Sequence, residues 1–296
     1  MTPAFASTSE ADLIAEAVEA VAPEALSAAS VELEENTFRA SLNNSSAVEL
    51  PVDPVEGVTF SAHDDRSEVT VTLPGAQALK NATVANDGSI TFAGDAHTAA
   101  LNVLPAAGAV RFSTVIDSAS QSESYSYDFG EAASVEIQDD GSVLVYAVDS
   151  TTDGATVETV VADVRAPWAF DANGAAVQTR YVADGSTLTQ VVEHVGVDVA
   201  YPVVADPTFD SPLPLQSRVR FNRAETKTIY ESGALGLGGI ACGPMAWVCI
   251  AAAGVLVYNA GVAENSSPKM CTQVTLTSIP PTPIWWVDNY RGGPCR

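Results

Sequence analysis

Residues 134–146 read SVEIQDDGSVLVY, and this stretch shows the pattern that decides the fold of most of the chain. Val135 and Ile137 alternate with polar residues, and residues 143–146 form a second, valine-rich run. Between the two runs, Asp140 and Gly141 can supply the positive φ angles of a tight turn. Two runs joined in this way predict an antiparallel β-hairpin.

The same pattern repeats from about residue 58 to residue 206. Further strand-like runs occur at 58–60, 69–73, 89–92, 110–115 and 157–164. Asp-Gly or Asn-Gly turns recur at 87–88, 153–154, 173–174 and 184–185. Roughly ten short strands at this spacing predict an antiparallel sandwich or an elongated meander.

An acidic helix is predicted ahead of the β-rich region. Residues 9–35 place apolar side chains at helical spacing with acids between them, Ser9 suits the N-cap position, and Pro23 should split the segment. We therefore expect residues 1–45 to form an acidic helical leader and residues 46–206 to form an acidic β-rich domain.

Charge divides the chain into two parts. Residues 1–210 contain 33 acids and 6 bases, a balance of −27, whereas residues 211–296 contain 4 acids and 7 bases, a balance of +3. A strongly acidic surface repels phosphate groups, which argues against nucleic-acid binding by the first part. The mildly basic and apolar second part suits an anionic membrane surface, or the acidic part itself, better than it suits a base-reading interface.

A proline-rich segment gives the clearest domain boundary. Residues 207–214 contain three prolines in eight positions. Prolines at this density favour a stiff, extended chain. We expect residues 207–217 to be a linker between the β-rich domain and the last part of the chain.

The last part, residues 218–296, predicts a small α+β domain that contains an apolar helical hairpin. Asn222 and Glu225 have the spacing of a capping box, and the helix that they begin should run to about Gly236. A second, apolar helix is predicted from about Met245 to Ala263, and β-like sequence follows it.

The segment from Ser232 to Ala263 contains no charged residue. It is long enough to cross a bilayer, but several glycines and a proline interrupt it. Three interpretations remain open from the sequence: a hairpin buried in a small soluble domain, a hairpin that inserts into a membrane, and a permanent anchor.

All four cysteines, Cys242, Cys249, Cys271 and Cys295, lie in the last 55 residues. Their clustering and the lack of C-x2-C spacing favour two disulfides over a zinc site. If Pro244 begins a helix, Cys249 lies well inside it and too far from Cys242 for easy pairing. We therefore expect bridges from the helices to the β-like end, with two pairings open.

The first residues carry a trace of export. Ala4 and Ala6 form the small-residue pattern found at signal-peptidase sites, with no basic and apolar segment before it. We expect a secreted protein whose signal peptide is absent from this sequence.

A resemblance to a protein family supports export. It rests on residues 166–174 (APWAFDANG), residues 177–194 with their VQTRY and LTQVVEH motifs, and residues 201–208 (YPVVADPT). The tail is also similar, at residues 221–226 (FNRAET), 260–268 (AGVAENSSP) and 292–296 (GGPCR). These resemble secreted actinobacterial proteins in which a β-rich region ends in this block and a Cys-containing tail follows. The resemblance covers roughly residues 60–296 and implies export from a Gram-positive cell. It implies no catalytic residues.

No motif in the chain indicates catalysis. G-x-S-x-G, H-E-x-x-H and P-loop patterns are absent, and the three histidines lie far from the cysteines in sequence. The run His63, Asp64 and Asp65 is more typical of a solvated loop than of a metal site. We expect no enzyme activity, no cofactor and no bound metal.

The function expected from these features is that of a secreted bipartite protein. In this hypothesis an acidic β-rich carrier or pro-region keeps a bacteriocin-like or toxin-like, membrane-active tail soluble until release. The alternative is a cell-surface or matrix binding module without effector activity. The candidate contacts to a membrane or partner are Arg218, Arg220, Arg223, Lys227, Trp247, Trp285 and Trp286.

Overall fold

The computed structural model describes residues 8–43, 46–62, 68–150, 155–210, 215–233, 242, 245–278 and 283–296. The chain forms two compact units. The first contains residues 1–145 and 161–212, and the second contains residues 146–160 and 213–296. The second unit therefore takes a segment from the middle of the predicted β-rich domain as well as the end of the chain.

The described residues are mostly β-strand. The helices are α1 (Glu10–Val21), α2 (Arg223–Ser232), α3 (Ala246–Ala251) and α4 (Ala253–Asn265). The strands are β1 (Val31–Glu34), β2 (Thr37–Asn43), β3 (Ser46–Pro51), β4 (Val58–Ala62), β5 (Glu68–Val71), β6 (Thr83–Val84), β7 (Ile90–Phe92), β8 (Ala100–Ala106), β9 (Ala109–Ile116), β10 (Ser124–Asp128), β11 (Ala133–Ile137), β12 (Val143–Ser150), β13 (Thr156–Val164), β14 (Ala169–Phe170), β15 (Thr179–Asp184), β16 (Thr187–Val192), β17 (Val203–Ala205), β18 (Thr208–Asp210), β19 (Leu215–Arg220), β20 (Cys271–Ser278) and β21 (Ile284–Tyr290).

The strands pair antiparallel throughout the registers described. In the first unit, β1 to β5 form a sheet in sequence order, β10, β16 and β15 form a second, and β18, β9, β8, β7 and β6 form a third. In the second unit the order is β21, β20, β19 and β13. The prediction of an antiparallel β-rich region with an N-terminal helix, followed by an α+β disulfide-bonded region, is confirmed.

The hairpin predicted from residues 134–146 is present as β11 and β12. The amide of Gly141 donates to the carbonyl of Gln138 at 3.0 Å, and Gly141 has a φ of 86°, which a side chain would disfavour. Local turn chemistry thus sets this part of the fold, as the sequence predicts.

The N-terminal segment differs from the expected helical leader. Ser9 caps α1 in a capping box with Asp12, and α1 ends at Val21, before Pro23. Residues 31–43, however, form β1 and β2. In β2 the side chains of residues 38, 40 and 42 are buried and those of residues 39, 41 and 43 are exposed, so the period is two rather than 3.6.

Aromatic side chains fill the core of the first unit. The rings of Phe112 and Phe209 meet edge to face with 5.0 Å between centroids, and Phe60 lies 5.5 Å from Phe209. Tyr127 and Phe129 complete the cluster. Edge-to-face pairs of this kind add about 0.5–1.5 kcal/mol each beyond area burial.

The two halves of the APWAFDANG and YPVVADPT block pair with each other. Strand β14, from the first half, pairs with β17, from the second. Asp206 Oδ1 accepts a hydrogen bond from the amide of Trp168 at 2.9 Å, and the carboxylate of Asp171 accepts one from the amide of Ala200 at 3.0 Å. In this chain the block therefore has a structural role: its two halves are hydrogen-bonded to each other within the first unit.

Asp206 is fully buried, and its Oδ2 atom has no hydrogen-bond partner among the described residues. Burial raises the pKa of Asp206 to about 8, although amide hydrogen bonds and the charge of Arg111 favour the ionised form. Tyr127 and Tyr181 also face this carboxyl group, and burial raises the pKa of both. The folded protein therefore holds a neutral carboxyl group at Asp206 at neutral pH.

Because folding raises the pKa of Asp206, the stability of the folded protein should depend on pH. A proton that the folded state keeps and the unfolded state loses stabilises the fold most at low pH. The contribution of Asp206 is lost as pH rises from about 4 towards 8, by up to about 1.4 kcal/mol per pH unit. We expect Asp206→Asn, which mimics the neutral acid, to remove this component from urea-unfolding free energies measured between pH 5 and pH 8. Exposed Asp139→Asn is the matched control, and equal pH slopes in both variants would contradict the assignment.

Candidate functional site

The second unit is built on antiparallel strands β21, β20, β19 and β13, and β12 also pairs with β13. Strand β19 pairs with residues 156–159 of β13 on one side and with β20 on the other, and β21 pairs with β20. The register aligns Val157, Val219, Val274 and Val287 in one row across the sheet. This row packs into an apolar core with side chains from the helices.

Helix α2 begins as the capping box predicts. The amide of Glu225 donates to Asn222 Oδ1 at 3.0 Å, and the amide of Asn222 donates to Glu225 Oε2 at 2.7 Å. The predicted end near Gly236 lies outside the described residues. A side chain at Gly261 of α4 would meet the ring of Tyr230 at 3.2 Å, so α2 and α4 approach closely at this point.

The predicted apolar helix is divided into α3 and α4 at Ala252. Val248, Ala252, Leu256 and Ala260 are buried at four-residue spacing and face the core. Among the described residues, no helix has both the length and the apolar character that crossing a membrane requires.

Both disulfides are present, but their pairing differs from the expectation. Cys242 is bonded to Cys249 and Cys271 to Cys295, with Cα–Cα distances of 6.6 Å and 5.6 Å. The predicted bridges from the helices to the β-like end are wrong. The helix begins at Ala246, close to its predicted start, but the Cα atoms of Cys242 and Cys249 still lie within the range of a disulfide. Cys249 therefore lies near the start of α3, within reach of the turn in which the Met245 amide donates to the Cys242 carbonyl.

Two of the predicted contact arginines are internal. The guanidinium of Arg218 is ion-paired with Glu158, and these side chains are only 5% and 2% exposed. Arg218 also stacks on the ring of Tyr146 at 3.7 Å, and its Nη1 donates to the tyrosine hydroxyl at 3.1 Å. Arg220 lies 3.3 Å from Glu158 Oε1 and over the ring of Tyr290. These groups organise the sheet and do not present cations to solvent.

The other predicted contacts have different surroundings. Lys227 is exposed and lies 3.6 Å from Glu231, whereas Arg223 is half-buried. Trp285 packs against the core from its edge, and Trp286 is 40% exposed. The structure therefore does not gather the predicted cations and tryptophans into one site.

Helices α3 and α4 carry an apolar face on the side that is directed away from the core. It consists of five exposed side chains: Trp247, Ile250, Val255, Tyr258 and Val262. Ile250 and Tyr258 are 73% and 72% exposed, and Trp247 is 51% exposed. We call this surface the α3–α4 face. Of its members only Trp247 was predicted from the sequence, although helical spacing from Trp247 would have identified the others.

The acidic surplus of the chain belongs to the first unit. Residues 146–160 and 213–296 contain 7 acids and 7 bases, so the second unit has no net formal charge and the first carries −24. Within the described ranges, no three His, Cys, Asp or Glu side chains form a group that could hold a metal ion. The run at residues 63–65 lies outside those ranges.

Comparison with known proteins gives no family. No family model matches the chain, and no curated protein matches it. One solved structure, a gh92 family glycosyl hydrolase named ccman5, aligns with a TM-score of 0.24 and 14% identity over 71% of this chain. The alignment covers 32% of the hydrolase chain, and a likeness at this level carries no argument about fold or function.

The ion pair between Glu158 and Arg218 makes a prediction about stability. Glu158→Ala removes the carboxylate that is paired with the buried Arg218 guanidinium, and such losses cost about 3–5 kcal/mol. We expect a loss of this size in denaturant unfolding, followed by tryptophan fluorescence in a Trp168→Phe background so that the signal comes from the second unit alone. Removing the exposed pair by Glu231→Ala should cost less than about 0.5 kcal/mol. Equal losses in the two variants would contradict the role assigned to Glu158.

Proposed function

We propose that the protein is an exported binding module that attaches to a membrane interface through the α3–α4 face and acts as a whole chain. The observation that carries this proposal is the exposure of Trp247, Ile250 and Tyr258 on helices that contain no charge before Glu264. Surface helices of soluble proteins normally place charged side chains towards water. An apolar face with a tryptophan and a tyrosine suits the headgroup region of a bilayer, where aromatic rings are enriched.

Export is supported by two features. The two disulfides, which use all four cysteines of the chain, are typical of oxidising compartments. The resemblance to secreted actinobacterial proteins points in the same direction. A cell-envelope location follows from the combination of export with a membrane-facing surface.

Action as a whole chain is supported by the composition of the second unit. Residues 155 and 157 belong to its core, and Glu158 supplies the counter-charge for Arg218. Cleavage in the segment 207–217 would put this strand and residues 218–296 on different polypeptides. A tail released from residues 1–206 would lose the strand that pairs with β19 and would bury Arg218 without the carboxylate of Glu158, which is costly.

The acidic first unit suits a role in solubility and lipid selection. At −24, it opposes close approach to anionic lipids, while the second unit carries no net formal charge. Binding should therefore be strongest on zwitterionic membranes.

Co-sedimentation with phosphatidylcholine vesicles tests the α3–α4 face. We expect the full chain to bind and the Ile250→Ser, Tyr258→Ser variant to bind about ten-fold more weakly, since two exposed apolar side chains no longer leave water. The matched control is Val182→Ser with Val197→Ser, which removes two exposed apolar side chains of the first unit. Equal binding by both variants, or no binding by the full chain, would overturn the proposal.

The predicted linker 207–217 is not one extended segment, because Thr208–Asp210 form β18 and β19 begins at Leu215. The released effector stays the second candidate, because residues 211–214, between these strands, contain two of the three prolines. A protease site inserted between residues 211 and 214 separates the two candidates. We expect the two pieces to co-elute after cleavage under native conditions and to separate only in denaturant, because residues 155–160 remain bound in the second unit. Elution of residues 214–296 as a folded species on its own would favour the effector.

A further inference from the structure

A cleft of about 520 Å³ lies in the first unit, apart from the α3–α4 face in sequence and in chemistry. Its apolar part is formed by Ile14 and Ala17 of α1, Ala100 of β8 and Val115 of β9. Its polar part is formed by loop residues 94–96 and 117–121. Pockets of a few hundred Å³ with an apolar lining and few polar groups are typical of small-molecule sites.

Hydrogen bonds between the two loops brace the polar wall. Gln121 is buried, its Nε2 donates to the carbonyl of Asp95 at 3.0 Å, and its Oε1 accepts from the amide of Asp117 at 2.8 Å. Ser120 Oγ donates to the carbonyl of Ala96 at 3.1 Å. The wall is therefore held in place before any ligand arrives, which lowers the cost of binding.

Three carboxylates line the cleft, and two of them are already compensated. Glu10 is ion-paired with Lys80 at 3.0 Å, and the carboxylate of Asp95 accepts from the amides of His97 and Thr98 at 2.8 Å each. Those hydrogen bonds, first the one from His97, lower the pKa of Asp95.

Asp117 is the third carboxylate, and its situation is different. No hydrogen bond or ion pair from the described residues reaches its side-chain oxygens. The residue is exposed at the edge of the cleft, and partial desolvation of its carboxyl group raises its pKa. Among the described carboxylates that line the cleft, Asp117 is therefore the one open to pairing with a cation that enters it. The acidic surplus of the first unit adds a general attraction for cations.

We propose that this cleft binds a small organic cation, with its apolar body against Ile14, Ala17 and Val115 and its ammonium group against the carboxylate of Asp117. The apolar floor selects against a hydrated inorganic ion, and the unpaired carboxylate selects against an anion. Primary amines with an aromatic or alkyl body form the ligand class. This site is independent of the function proposed for the second unit.

Three probes of one shape and different charge test the proposal: phenethylammonium, phenethyl alcohol and phenylacetate. We expect phenethylammonium to bind the full chain most tightly at pH 7, measured by chemical-shift titration of isotope-labelled protein. The chemical-shift changes that phenethylammonium causes should be largest at residues 94–96 and 117–121. Asp117→Asn should weaken phenethylammonium about ten-fold, which matches one ion pair of moderate strength, and should leave phenethyl alcohol unchanged.

Asp139→Asn is the control, because it removes an equal charge at an exposed position outside the cleft and should leave all three titrations unchanged. Thermal unfolding of each variant verifies that the first unit is intact. The proposal is overturned by equal binding of the three probes, by binding of none, or by an Asp117→Asn variant that binds phenethylammonium as the wild type does.

Discussion

The ion pair between Glu158 and Arg218 is the constraint on which the second unit depends. It joins β13 to β19, and the two residues are direct partners in the register. A slip of one residue would turn Arg218 towards the apolar core and Val219 away from it. A buried pair of this kind adds little net stability, because desolvation offsets attraction, but it penalises every register that separates the charges. The valine row that supports the helices is therefore fixed by a polar contact on the opposite face.

That constraint is consistent with α3 and α4 exposing apolar side chains while they keep their position on the sheet. Val248, Leu256 and Ala260 hold α3 and α4 against the sheet, and the two disulfides tie the ends of this region. The side chains on the outer side of the helices can then be either polar or apolar, because the packing of the core does not depend on them. The apolar character of the α3–α4 face is thus a property available for binding and not a demand of the core.

Local patterns predicted local structure well. The turn at Gly141 and the capping box at Asn222 depend on residues within a few positions, and both are present. Contacts distant in sequence could not be inferred in this way. Glu158 and Arg218 are 60 residues apart, and nothing in either neighbourhood indicates the other. The disulfide pairing was wrong for a local reason, since Cys249, in the first turn of α3, lies within reach of Cys242 although the two were expected to be too far apart.

The division of charge gives the two proposed binding surfaces opposite responses to salt. Attraction of a cation to Asp117 is weakened as ions screen the acidic first unit. Attachment of the α3–α4 face to lipid depends on apolar burial, which screening does not weaken, and repulsion of the first unit from anionic lipids falls as ionic strength rises. Ionic strength therefore acts differently on the two surfaces. Raising it weakens small-cation binding by the first unit, which carries −24, but does not weaken membrane attachment by the second unit, which has no net formal charge.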